Sequence, residues 1–234
     1  MISDTPERRI GLLTIGGAPR HDSLAREVRD ILGPDVDVIE RGALDGLTVE
    51  QVAGLGGGSD QGTPLATQMA DGRSVIVDEV AVTPLLSQQI SRLERLDRVE
   101  VTLLMCTGSF PQLEHRRPLF QPHAALYRTV AGIAGAGQLT ALTPLQAQVE
   151  HARHNWLCAG VAGVELLVAD PYGPDPLGAV SAAAAAASAA GSQLFYLDCF
   201  GYDRGMKQAA QRAFGGPVVL ARSLAARLLA EMVA

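Results

Sequence analysis

Two cysteines close apolar runs in the two halves of the chain. Cys106 ends Leu103-Leu104-Met105-Cys106 and precedes Thr107-Gly108-Ser109; Cys199 ends Leu197-Asp198-Cys199 and precedes Phe200-Gly201-Tyr202. They stand 199 − 106 = 93 positions apart. A thiol at the C-terminal end of a buried strand, before a glycine turn that opens toward a helix N-terminus, sits where open α/β sheets place their chemistry. A single cysteine of this kind is more often a small buried hydrophobe. Two matched ones point to one site between two lobes, where paired thiols move a proton on and off carbon without a cofactor. The helix dipoles predict thiol pKa values below the usual range, so that both are partly thiolate near neutral pH. Cys158, inside a helical stretch with no turn after it, reads as core filler.

A third strand end resembles these two. Thr14-Ile15-Gly16-Gly17-Ala18-Pro19-Arg20 leaves a strand through glycines and runs on to Asp22, a candidate helix cap. Freed amides there form an anion site, with the Thr14 hydroxyl and the Arg20 fork suited to a carboxylate; the alternative is a plain tight turn with a solvated arginine. Around the cysteines, Thr107, Gly108, Ser109 and Gly201 offer turn donors, and Tyr202 a hydroxyl that closes over a ligand. Asp203 reads as the cap of the next helix. Asp198 points away from Cys199 if the pleat continues, which makes it structural. Tyr172, in Pro171-Tyr172-Gly173 at another strand end, falls on the same rim as a pocket-wall candidate. The histidines carry less: His21 beside Arg20 reads as surface or acid–base, and His115-Arg116-Arg117 as a solvated basic cluster or a steering patch. His151 and His154 lack the carboxylates of a metal site, and no cysteine pair has zinc-ligand spacing.

Short β-branched runs alternate with longer helical segments, which predicts parallel α/β architecture. Strands are expected over 10–15, 36–40, 99–106, 139–142, 164–169, 194–199 and 218–220. Helices are expected over 23–32, 48–55, 84–96, 123–133, 145–159, 178–190, 204–214 and 223–233, with Asp22, Thr48 and Asp203 as N-caps. Residues 65–78, with Asp71-Gly72 at their middle, read as a β-hairpin that interrupts the alternation of the first half. Gly56-Gly57-Gly58-Ser59 lacks the lysine of a phosphate-binding loop and reads as a connecting loop. The alanines 182–187 read as a helix face packed closely on a sheet.

The chain has 234 residues, a formal charge of −6 and a sequence pI near 5.3. That balance argues against nucleic acid or an anionic membrane as partner. The first nine residues show no secretory h-region, and the uncharged stretch 176–195 is too poor in large apolar residues to span a bilayer. Three widely spaced cysteines fit free thiols in a cytoplasm rather than a disulfide framework.

Residues 14–22, Gly42-Ala43-Leu44-Asp45-Gly46-Leu47-Thr48, Leu104 to Pro111 and Asp198 to Tyr202 together resemble the AroM family, over almost the whole chain. That family in turn is similar to the aspartate/glutamate/hydantoin racemase superfamily. The resemblance implies two pseudo-symmetric α/β lobes, each a parallel sheet flanked by helices, with Cys106 and Cys199 as the catalytic pair facing a cleft. The first lobe is expected over 1–118 plus 218–234 and the second over 119–217, the last strand or helix returning to the first lobe. The turns after both cysteines differ from the amide- and acid-bearing turns of the amino-acid racemases, and Gln68-Met69-Ala70-Asp71-Gly72 stands where those enzymes carry an arginine. The function this implies is a cofactor-independent isomerase, racemising or epimerising a carbon next to a carboxylate. Thr14, Gly16, Gly17, Arg20, Thr107, Gly108, Ser109, Gly201, Tyr202 and Tyr172 would bind the substrate. No metal or cofactor is expected; the partner is a small carboxylate-bearing molecule, with a homodimer left open. Two other functions fit the same residues: single-thiol lyase or isomerase chemistry, and a non-catalytic protein that binds or senses a small carboxylate.

Overall fold

The computed structural model describes residues 8–20, 23–56 and 62–233. The expectations for His21, Asp22 and Gly57-Gly58-Ser59 lie outside them. Among the described residues the strands are β1 (Arg8–Thr14), β2 (Val36–Gly42), β3 (Pro64–Gln68), β4 (Ser74–Asp78), β5 (Val101–Leu104), β6 (Leu119–Phe120), β7 (Leu139–Thr143), β8 (Glu165–Val168), β9 (Leu194–Leu197) and β10 (Val218–Leu220). The helices are α1 (Leu24–Leu32), α2 (Val49–Ala53), α3 (Glu79–Arg95), α4 (His123–Ala134), α5 (Val149–Cys158), α6 (Pro176–Ala189), α7 (Arg204–Phe214) and α8 (Ala221–Val233), with one 3-10 turn at Gln146–Gln148 before α5.

Two four-stranded parallel sheets result, ordered β2-β1-β5-β6 and β8-β7-β9-β10. Numbered within each half, and leaving out the hairpin, both read 2-1-3-4. The halves therefore share one topology, and each cysteine follows the third strand of its own sheet. β5 and β9 are buried along their whole length, VTLL and LFYL, because strands covered on both faces have no polar side to show. β3 and β4 pair antiparallel around Asp71-Gly72, where Gly72 takes φ 87° to close the turn.

The helices follow their apolar spacing. α7 buries Met206, Ala209, Ala210 and Phe214, starts on the Asp203 carboxylate, which accepts from the Met206 amide, and ends at Gly215 in the left-handed region. Thr48 caps α2 in a reciprocal capping box with Gln51. α3 departs from expectation: it begins at Glu79, five residues before Pro84, because Asp78 both ends β4 and accepts from the amides of Val80 and Ala81. The two-residue strand β6 carries too short a pattern to show in the sequence.

Among the described residues three apolar clusters hold the layers. One lies between the halves and joins Ile10, Leu12 and Val28 of the first to Ala141, Trp156 and Tyr196 of the second, with Ala225 and Leu229 of α8. The other two cover the outer faces of each sheet, and the first of them includes hairpin residues Leu65 and Val77. Two expected boundaries shift. Residues 119–120 pair with β5 in the first sheet, and residues 218–220 pair with β9 in the second; of the C-terminal segment, α8 is the part that returns to pack against α1.

Candidate active site

The sulfurs occupy matched turns. The Gly108 amide donates to Cys106 Sγ at 3.3 Å and the Gly201 amide donates to Cys199 Sγ at 3.2 Å, each from two residues downstream. The Thr107 hydroxyl donates to the Asp198 carbonyl at 3.3 Å, which ties one turn directly to the other. His123 Nδ1 lies 2.7 Å from the Thr107 carbonyl in the same turn.

Both cysteines line two adjoining cavities. The larger, of about 60 Å³, also meets Thr107, Gly108, Thr143, Asp198, Glu79 and Tyr127. The smaller, of about 20 Å³, adds Thr14, Arg20, Thr107, Tyr172 and Gly201. The hairpin closes both, through Leu65 and Ala66 in the first and Ala66 and Thr67 in the second. It is bound to the second half by the Gln148 side-chain amide, which donates to the Pro64 carbonyl at 2.8 Å. Arg20 reaches Gln68 Oε1 at 3.1 Å and the Tyr172 hydroxyl at 3.4 Å, with its guanidinium over the Tyr172 ring.

Of the sequence-derived candidates, Thr14, Arg20, Cys106, Thr107, Gly108, Tyr172, Cys199 and Gly201 come together in these cavities. Four do not line them. The Gly16 amide donates to the Thr14 hydroxyl and the Gly17 amide to the Gln68 carbonyl. A Cβ at either glycine would overlap hairpin backbone, so here glycine serves close approach of the hairpin rather than an anion. Ser109 lies outside both cavities, and Tyr202 is fully buried with its hydroxyl donating to the Ala169 carbonyl at 2.6 Å.

Three further expectations are corrected. Both thiols are pushed up, not down: burial lifts Cys106 to about 12 and Cys199 to about 11, against the amide bonds that favour the thiolates. The chain after Cys106 passes through several turns and β6 before α4 begins, and the first residue of α4, His123, returns to the Thr107 carbonyl. Cys158 is exposed on the outer side of α5, because Val149, Ala152 and Trp156 take the buried side. Asp198 lines the larger cavity together with Cys199, because β9 ends at Leu197 and the strand's alternation stops there.

Asp198 is the residue that sequence reasoning missed. It is 4% exposed; the Tyr127 hydroxyl donates to its Oδ2 at 2.6 Å, and Oδ1 has no hydrogen bond among the described residues. Burial raises its carboxyl to about 6, partly offset by the Tyr127, Tyr196 and Thr107 hydroxyls. A carboxylate interrupting an otherwise apolar strand end was the available signal. Glu79, at the start of α3, is raised by burial on the same wall, and His151 of α5 is lowered by burial. Tyr127 is raised by burial and then by Asp198.

A buried arginine supports the Cys199 turn. Arg222 at the start of α8 donates twice to the Phe200 carbonyl, at 3.0 and 2.6 Å, and once to Ser23 Oγ at 2.9 Å. Its charge is met by Glu27 at 3.3 Å, whose other oxygen accepts from the Arg204 amide. Among the described residues no three His, Cys, Asp or Glu side chains group as a metal site, and no helix is long and apolar enough to cross a membrane.

Two parallel-sheet lobes with a thiol from each at a shared cleft define a racemase-like fold. Allantoin racemase from Klebsiella pneumoniae superposes with a TM-score of 0.65 at 18% identity, covering 97% of this chain and 87% of that one. Picrophilus torridus aspartate racemase gives 0.62 at 10% identity over 96% and 94%, and unliganded arylmalonate decarboxylase 0.56 at 16% identity over 96% and 92%. At these identities the likeness is one of fold. No curated protein matches by sequence. The AroM protein family model matches residues 10–233, and the chain belongs to that family.

Proposed function

We propose that the protein is a cofactor-independent isomerase that moves a proton at a carbon next to a carboxylate, with Cys106 and Cys199 as the two acid–base groups. The observation that carries this reading is the duplication of the thiol turns around one pair of cavities. The substrate carboxylate is held on the Arg20 side, where Thr14, Tyr172 and Gly201 complete the wall. One thiolate removes the α-proton from one face while the other thiol donates to the opposite face. The Arg20 guanidinium stabilises the enediolate-like charge between these steps.

The raised thiol pKa values bear on the chemistry in two opposed ways. Ionising a buried thiol costs about 1.4 kcal/mol per unit above the ambient pH. The thiolate that does form is a correspondingly stronger base toward a weakly acidic C–H, which suits a carbon acid. The test is deuterium incorporation at the α-carbon of small chiral carboxylates in D₂O, with Cys106→Ser and Cys199→Ser beside the parent. Loss in both variants supports two-thiol transfer; undiminished incorporation in both removes the cysteines from the reaction.

Single-thiol chemistry is the second reading, favoured by one asymmetry. Asp198 acts to raise both thiols, but Arg222 and Arg20 act to lower Cys199 alone and Glu79 acts to raise Cys106 alone. On that reading Cys199→Ser alone abolishes turnover.

A further inference from the structure

The larger cavity holds a group that two-thiol transfer leaves without a task. Among the described residues Asp198 Oδ1 is buried with no hydrogen bond of good geometry, while Oδ2 is fixed by Tyr127; the Tyr196 and Thr107 hydroxyls also act on the carboxyl. A buried carboxylate oxygen without a donor is costly unless something in the cavity supplies one. Both thiols line the same cavity, and Asp198 is bound to each side of it: by the chain to Cys199, and through its own carbonyl to Thr107, the residue after Cys106. We propose that Asp198 exchanges protons with both cavity thiols and returns the proton from one to the other after each turnover.

This role rests on the two-thiol reading, because that reaction leaves a bookkeeping problem. Each turnover in one direction converts thiolate plus thiol into thiol plus thiolate with the two sulfurs exchanged. Resetting requires a proton to cross the site. The Asp198 carboxylate takes the proton of the Cys106 thiol, leaving Cys106 thiolate and Asp198 carboxylic acid. The acid then protonates Cys199 thiolate and returns to carboxylate. One S–H bond breaks, one forms, and no electron is lost or gained. The sequence runs equally in reverse, as a racemase requires.

The groups facing Asp198 come from every neighbouring element. Tyr127 of α4 and Tyr196 of β9 are phenols held neutral by burial; Glu79 of α3 and His151 of α5 lie on the same cavity wall. Arg20 and Arg222 act on the Cys199 side. Asp198 titrates at about 6, far from either thiol, so its exchange with them has a distinct signature. Carboxylate plus thiol and carboxylic acid plus thiolate carry the same number of protons, so their ratio does not change with pH.

The experiment needs no substrate. Alkylation of Cys106 and Cys199 by iodoacetamide is followed peptide by peptide by mass spectrometry from acid to alkaline pH, with exposed Cys158 as the internal reference. The expected log-rate profile for each cavity thiol rises, flattens into a shoulder from about pH 6, and rises again toward its own ionisation. In Asp198→Asn the shoulder is gone, and the rate near neutrality exceeds that of the parent by roughly three- to tenfold for each unit of thiol pKa released. In Tyr127→Phe, which removes the donor to Oδ2, the shoulder moves to higher pH; this arm holds even if Asp198→Asn does not fold. A shoulder-free parent profile, a profile unchanged in Asp198→Asn, or cavity thiols that stay unlabelled throughout overturns the proposal. Deuterium incorporation that depends on both cysteines while the shoulder is absent would leave two-thiol transfer standing and remove Asp198 from it.

Discussion

The two cysteine turns are alike in geometry and unlike in surroundings. Each follows the third strand of a 2-1-3-4 parallel sheet, and each sulfur accepts an amide proton from two residues on. Beyond that the halves diverge. The Cys106 turn leads through irregular chain into β6 and sits against the outer core of the first lobe beneath the hairpin. The Cys199 turn leads into a capped helix and is gripped by Arg222 through the Phe200 carbonyl. Backbone geometry was duplicated and electrostatics were not. Burial pushes both thiols up, and the two arginines act to lower Cys199 only.

The strongest way to break the comparison is to remove each thiol in turn. Cys106→Ser and Cys199→Ser should each lower α-deuterium incorporation by roughly 10²- to 10⁴-fold, the usual worth of a positioned acid–base group. Equal losses sharpen the picture of equivalent thiols, and a loss confined to Cys199→Ser points to one-thiol chemistry. Arg222→Ala attacks the asymmetry itself. It leaves Glu27 and the Phe200 carbonyl buried without their partner, and should cost roughly 3–5 kcal/mol in urea unfolding. It should also shift Cys199 labelling to higher pH while leaving Cys106 in place.

Asp198 gives a pH-dependent effect of intermediate size. Its folded pKa of about 6 exceeds the ordinary 3.8, so the folded state binds the proton more tightly. Its contribution to stability is complete below the unfolded value and is lost as pH rises through about 6. Asp198→Asn should therefore gain stability relative to the parent by roughly 1–3 kcal/mol on going from pH 4 to pH 7, read from paired urea titrations. Gly16→Ala forces the first lobe off its hairpin, a feature the second lobe lacks. It should cost roughly 1–3 kcal/mol, and looser closure should speed alkylation of the cavity thiols. The smallest effect is Thr48→Ala, remote from both turns, at roughly 0.5–2 kcal/mol from loss of the capping box and with no change in thiol labelling.

What could be read from sequence divides along a physical line. α7 was legible end to end, because its cap, its apolar spacing and its terminal glycine all agree around an eleven-residue helix. The placing of Cys106 and Cys199 just after buried strands was legible too, since a strand end followed by glycine is a local pattern. The ionisation of those thiols was not, because it depends on burial by the hairpin and by the opposite half of the chain. Asp198 failed for a related reason: the rule that alternate residues face opposite sides holds only while the strand lasts, and β9 stops one residue earlier. The start of α3 was missed because Pro84 looks like a first-turn residue, whereas Asp78 had already supplied the cap. Gly16 and Gly17 were read as substrate-binding, with a plain tight turn as the alternative, because what presses against them comes from some fifty residues away.

The path of α8 has a consequence for how the molecule can come apart. Its chain leaves the second sheet through β10 and lies down on α1 of the first, and the largest apolar cluster takes residues from both sides of it. Each half keeps an outer cluster of its own, but the inner one is shared, so urea unfolding is expected as one transition across the cleft, with probes in either half coinciding.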